Sequence, residues 1–240
     1  MKNRLSIALT AFAISFGSNA AHSHGIWIAE HAGKNSIVYG HGAANDAYNT
    51  DKLKTVSGYD EAGATVDVTP IDLDDHVVLA KDPKLALVTA VLDNGHWTKD
   101  TSGKWHNLPK NEVKSAESAG HYLKYTKAIF NGDANTLKPV GQPLEIIMLT
   151  NPLTLKAGDK LPVQVLMNGE PAPGAKLIAE YTTDSENSVK TDENGEAIIT
   201  IRNNGLNVIA ATLDETLTDN PKADKIGHFA TFSFAYGHSH

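Results

Sequence analysis

The sequence predicts an all-β fold made of two β-sandwich-like domains, and three observations support this prediction. Apolar and polar residues alternate in short runs along most of the chain, which is the period of strands with one buried face. Turn-forming Gly, Asn, Asp and Pro separate these runs. No segment keeps a helical period over any length. With 240 residues, the chain is long enough to bury the core of one large or two small domains.

The first predicted element is a β-hairpin formed by two alternating apolar runs, residues 22–30 and 36–42. Between them, Gly33-Lys34 suits a two-residue type II′ loop, which requires glycine in its first position. Such a loop fixes the register of the two strands and pairs Ala32 with Asn35. The sequence therefore also predicts which side chains of the hairpin share a face.

In this register Ile26 faces His41. Because strand side chains alternate between faces, His22 and His24 lie on one face, and His41 lies on the same face diagonally across from His24. Three imidazoles gathered on one strand face, beside the start of the mature chain, indicate a metal site.

Residues 1–21 are predicted to be a signal peptide, with a basic start, an apolar core too short to span a bilayer, and small residues at the end. Cleavage after Ala20 and cleavage after Ala21 both fit. The second would make His22 the amino terminus, whose α-amine and ring can chelate one ion together. The α-amine titrates near pH ~8 and imidazole near ~6.5, so few protons compete with a metal ion at neutral pH.

Composition agrees with an exported globular protein. The chain has 21 basic and 28 acidic residues, a net charge of −7, and loss of the leader makes it more negative still. An acidic exterior argues against nucleic acid and anionic membrane surfaces as partners. No later apolar run approaches transmembrane length, so no membrane insertion of the mature chain is expected. There is no cysteine, so a metal would be held by nitrogen and oxygen, which suits Ni²⁺, Co²⁺, Cu²⁺ or Zn²⁺.

The predicted N-terminal β domain, residues 22–132, contains eight of the eleven histidines. Residues 76–80 and 85–92 are predicted as core strands, and Asp93-Asn94-Gly95 as a turn leading into another hairpin. Asp46, in the loop after the first hairpin, can orient a histidine as a hydrogen-bond acceptor, or can simply satisfy a turn.

The predicted C-terminal domain, residues 141–240, follows a segment rich in turn formers. Its short strands and turns resemble Ig-like or prealbumin-like modules of exported proteins, a likeness of structure that says nothing of chemistry. Its last predicted strand begins at His228, and a His-Ser-His tail ends with His238 and His240. This segment is predicted to reach back to the first hairpin, with His228 as an inward-facing strand residue or as a fourth ligand.

Several motifs resemble those of one known family. They are HSHGIWIAE at residues 22–30, VYGHGA at 38–43, NGHW at 94–97 and GHFATF at 227–232. The chain is similar to periplasmic proteins associated with nickel and cobalt uptake, which accompany energy-coupling-factor-type importers in proteobacteria. The resemblance implies a soluble periplasmic metal-binding component rather than an enzyme.

Residues and resemblance together predict a periplasmic protein that binds Ni²⁺ or Co²⁺ and passes the ion to a membrane importer. The predicted ligands are His22, His24 and His41, with His228 as the fourth. Two alternatives stay open. One is a copper oxidase with a histidine brace at His22, which requires cleavage after Ala21. The other is a structural β-sandwich protein whose histidines are incidental.

Overall fold

The computed structural model describes residues 24–31, 33–131 and 137–236. The alternating runs of the sequence form strands throughout these ranges, and the helices within them are short 3₁₀ turns at Thr50–Lys52, Lys110–Glu112 and Pro152–Thr154. The predicted all-β, sandwich-like fold is confirmed. In chain order the strands are β1 (Gly25–His31), β2 (Lys34–Gly40), β3 (Leu53–Tyr59), β4 (Thr65–Val66), β5 (Pro70–Asp72), β6 (Val77–Leu79), β7 (Leu87–Asp100), β8 (Trp105–His106), β9 (Ala116–Ile129), β10 (Leu144–Met148), β11 (Lys160–Met167), β12 (Glu170–Pro171), β13 (Lys176–Ile178), β14 (Ser188–Lys190), β15 (Glu196–Thr200), β16 (Leu206–Thr216) and β17 (Lys225–Ala235).

The largest sheet has nine strands in the order β14-β13-β16-β17-β9-β7-β3-β4, with β8 beside β7. Its centre is the pair β9 and β17, which run parallel over ten residue pairs although they are about a hundred residues apart in the chain. The other pairs in this sheet are antiparallel. Strands from both of the segments predicted as domains, 22–132 and 141–240, therefore belong to one sheet.

Two smaller sheets pack against the large one. One consists of β10, β11, β12 and β15, and it encloses a core around Phe232, Ile146 and Val163. The other has the order β1-β2-β6-β5 and starts with the predicted hairpin. The apolar alternation of the sequence follows from this layered packing, because most strands bury at least one face. The likeness of residues 141–240 to Ig-like or prealbumin-like modules stays a prediction.

Both faces of the β1-β2 hairpin are buried. Ile26 and Ile37 on one face pack with residues of β7 and β9, whereas Trp27 and Val38 on the other face pack with residues of β13, β16 and β17. Backbone carbonyls on the free edge of β1 also have hydrogen-bond donors. The hydroxyl of Thr231 donates to the Ile26 carbonyl at 2.6 Å. The Ser233 hydroxyl donates to the Ile28 carbonyl in the same way, at 2.8 Å. The hairpin is thus fixed on all sides by the large sheet, and its open end has a defined position.

The predicted register of this hairpin is wrong by two residues. His31 pairs with Lys34, whereas the prediction pairs Ala32 with Asn35. Gly33 has a positive φ of +76°, which glycine adopts without steric cost. Ile26 consequently pairs with Tyr39 and Asn35 pairs with Glu30. Because the shift is an even number of residues, the side chains within β1 and β2 stay on their predicted faces, whereas His41 lies beyond the end of β2.

The turn predicted at Asp93-Asn94-Gly95 is also wrong, because β7 continues through it to Asp100. The register with β9 shifts between Asp93 and His96, which makes this segment a bulge. Gly95 adopts a φ of +79°, and so it absorbs the extra residue without reversing the chain. The residues of β7 before the bulge and those after it therefore both pair with β9.

No helix in the part of the chain that the structure describes is long and apolar enough to cross a membrane.

Candidate metal centre

The open end of the β1-β2 hairpin is held by one hydroxyl group. The Tyr181 hydroxyl accepts a hydrogen bond from the Gly25 backbone N–H at 3.0 Å and donates to the Gly40 carbonyl at 2.9 Å. Burial raises the pKa of Tyr181, so the hydroxyl keeps its proton and can donate. Position 25 requires glycine, because a Cβ there would lie 2.6 Å from the Phe229 ring. Tyr181 therefore fixes the residues on either side of this pair, His24 and His41.

His24 is held in one orientation by two contacts. Its ring stacks on the Tyr39 ring, with centroids 5.0 Å apart and planes 6° apart. Its Nε2 lies 3.0 Å from Oδ2 of Asp46. The remaining nitrogen, Nδ1, is buried and has no hydrogen-bond partner among the described residues. Buried polar atoms in proteins are usually hydrogen-bonded, so the lack of a partner for Nδ1 among the described residues requires an explanation.

His41 contacts a different residue from the one its strand position predicts. The alternation of β2 would place it beside Tyr39, but the chain turns directly after Gly40. The turn brings the His41 ring edge-on to Tyr181, with centroids 5.8 Å apart, and its Nδ1 lies 3.5 Å from the Tyr181 hydroxyl. His24 and His41 thus flank the same Gly25–Gly40 pair but have separate contacts.

His228 lies on the side of β17 that faces the core around Phe232. The Tyr125 hydroxyl is 2.9 Å from its Nδ1, and Glu215 Oε2 is 3.6 Å from its Nε2, which has no hydrogen-bond partner among the described residues. Burial lowers the pKa of His228, although Glu215 acts in the opposite direction. The next residue, Phe229, packs with Trp27 of the hairpin on the other side of the sheet. The structure therefore does not bring His228 to His24.

The remaining predicted ligand, His22, lies outside the described residues, as do the predicted signal peptide and the tail histidines His238 and His240. Within residues 24–31, 33–131 and 137–236, no three His, Asp or Glu side chains are arranged to hold one metal ion. Ligands for an ion at His24 would have to come in part from outside these ranges.

A second histidine pair arises where sequence reasoning expected a turn. His96 and His121 face each other across β7 and β9, with their rings stacked 4.4 Å apart. His121 Nε2 lies 2.7 Å from Asp93 Oδ1. Desolvation and the neighbouring His121 lower the pKa of His96. Asn94-Gly95 fits a bulge as well as a turn, and the bulge lets β7 continue so that His96 lies opposite His121.

Comparison with known proteins identifies relatives but no activity. The family model "Domain of unknown function (DUF4198)" matches residues 21–215. A Haemophilus influenzae protein named "Uncharacterized protein" is 29% identical over 224 residues, which cover 92% of this chain and 93% of that protein. No solved structure matches the chain.

Proposed function

Because the chain belongs to the DUF4198 family, a domain of unknown function, its role must be inferred from its own residues, and we propose that it is a periplasmic metal carrier. It binds a divalent transition-metal ion, Ni²⁺ or Co²⁺, through the imidazole of His24. It then passes this ion to a membrane importer. The metal is cargo, and the protein performs no catalysis on it.

The observation that carries the proposal is the state of the two His24 nitrogens. Asp46 is an acceptor when ionised, so Nε2 at 3.0 Å donates its proton to the carboxylate. The lone pair is then on Nδ1, the nitrogen that has no partner among the described residues. A histidine whose far N–H is held by a carboxylate is the usual arrangement of metal-ligating histidines, because the carboxylate fixes the tautomer and increases the basicity of the ligand.

Further ligands are available close to His24 in the sequence. His22 is two residues before it, and side chains two residues apart share a face wherever a chain is extended. Cleavage after Ala21 would add the α-amine of His22. His41, on the other side of the Gly25–Gly40 pair, is exposed and can supply another imidazole. Nitrogen donors with one nearby carboxylate suit Ni²⁺, Co²⁺ and Cu²⁺, and the likeness to nickel- and cobalt-uptake proteins favours the first two.

The first prediction concerns His24 itself. We expect His24→Ala, in the untagged mature protein, to weaken Ni²⁺ binding by more than the ~10–100-fold that follows loss of an outer-shell partner. A protonated imidazole has no lone pair for the metal, so wild-type affinity should also fall when the pH drops from about 7.5 to about 5.5. Isothermal titration calorimetry measures both effects.

His106→Ala is the matched control. His106 also has its Nε2 on an aspartate, Asp100 Oδ2 at 2.8 Å, but it is on β8, away from the hairpin end. The His106→Ala variant should leave Ni²⁺ affinity unchanged. If His24→Ala binds Ni²⁺ as tightly as His106→Ala does, or if affinity is equal at the two pH values, imidazole ligation at His24 is excluded.

The second prediction concerns Asp46. Asp46→Asn can still accept a hydrogen bond from His24 but has lost its charge, so the imidazole becomes a weaker ligand. We expect Ni²⁺ affinity to fall by ~10–100-fold with little change in stoichiometry. Asp100→Asn, which changes the equivalent pair at His106, should have no effect on the same titration. Wild-type affinity in Asp46→Asn would mean that the His24–Asp46 contact is structural.

A further inference from the structure

A second candidate site is a cavity on the other side of Tyr181, with a volume of about 310 Å³. It opens between the turn at His41 and the ends of β9, β13, β16 and β17. Its aromatic walls are Tyr122, Tyr181 and Phe229. Its charged and titratable residues, besides these tyrosines, are Lys124, Lys176, Lys225, Asp214, Glu186, His41 and His228. A volume of this size is at the lower end of the ~300–1,000 Å³ that small-molecule sites occupy.

Lys124 distinguishes this cavity from an ordinary surface depression. The side chain is on β9 and is 1% exposed, and lysine is rarely buried to this degree. Its Nζ lies 4.9 Å from the centre of the Phe229 ring and 5.8 Å from that of Tyr122. Burial lowers the pKa of Lys124 to about 7, with Asp214 acting in the opposite direction. The amine is therefore near its titration point at neutral pH, and a bound anion would stabilise the charged form.

The balance of charge around the cavity favours an anion. Three lysines face two carboxylates there, and one of those carboxylates, Asp214, is already paired with Lys225 at 2.6 Å. The chain as a whole carries a net charge of −7, so a locally cationic cavity is contrary to its general composition. The aromatic walls provide apolar contact for an organic group and reduce access of water, which strengthens an ionic contact inside.

We propose that this cavity binds a small organic monocarboxylate. The carboxylate contacts the Lys124 amine, and the apolar body of the ligand packs between Phe229 and Tyr181. Lys176, which is exposed at the rim, draws the anion in. His24 does not line this cavity, whereas His41 lines it and is also a possible ligand of the proposed metal site, so binding of the carboxylate is tested in metal-free protein.

The test uses metal-free wild-type mature protein and three probes: benzoate, phenylacetate and hexanoate. We expect saturable binding of at least one probe by isothermal titration calorimetry. We also expect the neutral analogue of that probe, such as benzamide for benzoate, to bind at least about tenfold more weakly. At about pH 8, in HEPES and in Tris, the difference in observed heat should report proton uptake, because binding protonates Lys124.

Lys124→Met should weaken binding at least about tenfold and abolish the proton uptake. Lys104→Met, which replaces an exposed lysine outside the cavity, should change neither the affinity for the probe nor the proton uptake. Lys176→Met changes an exposed rim residue and should weaken binding without affecting folding, so the test remains decisive if Lys124→Met fails to fold. Failure of all three probes to bind, equal binding of the neutral analogue, or binding without proton uptake would overturn the proposal. None of these results depends on Ni²⁺ binding at His24.

Discussion

Replacing Lys127 with methionine is expected to lower the free energy of unfolding by about 3–5 kcal/mol. Lys127 and Glu145 form an ion pair at 2.7 Å between the large sheet and β10, and both side chains are almost completely buried. Burial lowers the pKa of Lys127, whereas Glu145 favours its charged form. Loss of the lysine leaves the glutamate as a buried charge without its cation. Urea denaturation followed by circular dichroism measures the difference.

Two further variants test whether burial of the Lys127–Glu145 pair causes the expected loss of unfolding free energy. Lys99→Met breaks the exposed pair with Glu117, at 3.1 Å, and should cost at most about 1 kcal/mol. Replacing both Lys127 and Glu145 with apolar residues should not restore stability, because Glu145 also accepts from the backbone N–H groups of residues 140, 141 and 142. A Lys127→Met protein within about 1 kcal/mol of wild type would contradict this account.

The second large effect is expected for Tyr181→Phe, which removes one oxygen atom from the open end of the hairpin. The Gly25 N–H and the Gly40 carbonyl both lose their partner while buried, and each such loss costs about 1–3 kcal/mol. We expect a total loss of about 2–6 kcal/mol in unfolding free energy. Hydrogen exchange of the Gly25 amide should become faster, because local opening no longer breaks that bond.

Tyr48→Phe is a closely matched control. The Tyr48 hydroxyl makes the same kind of bridge, accepting from the Val77 N–H at 3.0 Å and donating to the Ile37 carbonyl at 3.2 Å. It should lower stability to a similar extent and speed exchange at Val77, but leave Gly25 unchanged. The proposed role of Tyr181 is incorrect if Gly25 exchanges at the wild-type rate in Tyr181→Phe.

Local sequence features were sufficient for much of the fold. Alternation predicts most strands of the second half, because a strand buried on one face repeats every two residues. The hairpin is predicted by its apolar runs, and both of its faces are buried. Turn chemistry was less informative. Gly33 fits either position of a two-residue loop, and Asn94-Gly95 fits both a hairpin turn and a bulge. In each case the choice depends on which partner strand is available, and the local sequence does not contain that information.

The candidate site was partly predictable for the same reason. The face of His24 follows from strand period, whereas His41 lies beyond the end of β2 and contacts Tyr181 instead. The loop carboxylate Asp46 is a residue that the sequence predicts can orient a histidine. The position of His228 was not predictable. It depends on the parallel pairing of β9 with β17, and a pairing over such a separation leaves no local signal in either strand. The cavity at Lys124 depends on the same pairing.

That pairing has a consequence for how the chain reaches its native state. Among the strands that the structure describes, the one that completes the centre of the largest sheet is synthesised last. Until residues 225–235 have left the ribosome, β16 and β9 each lack a neighbour, and the carbonyls of the first strand lack their hydroxyl donors. Nascent chains that end earlier should expose apolar surface and be degraded or captured by chaperones. Folding of the part of the chain that the structure describes is therefore expected to finish only once residues 225–235 have been synthesised.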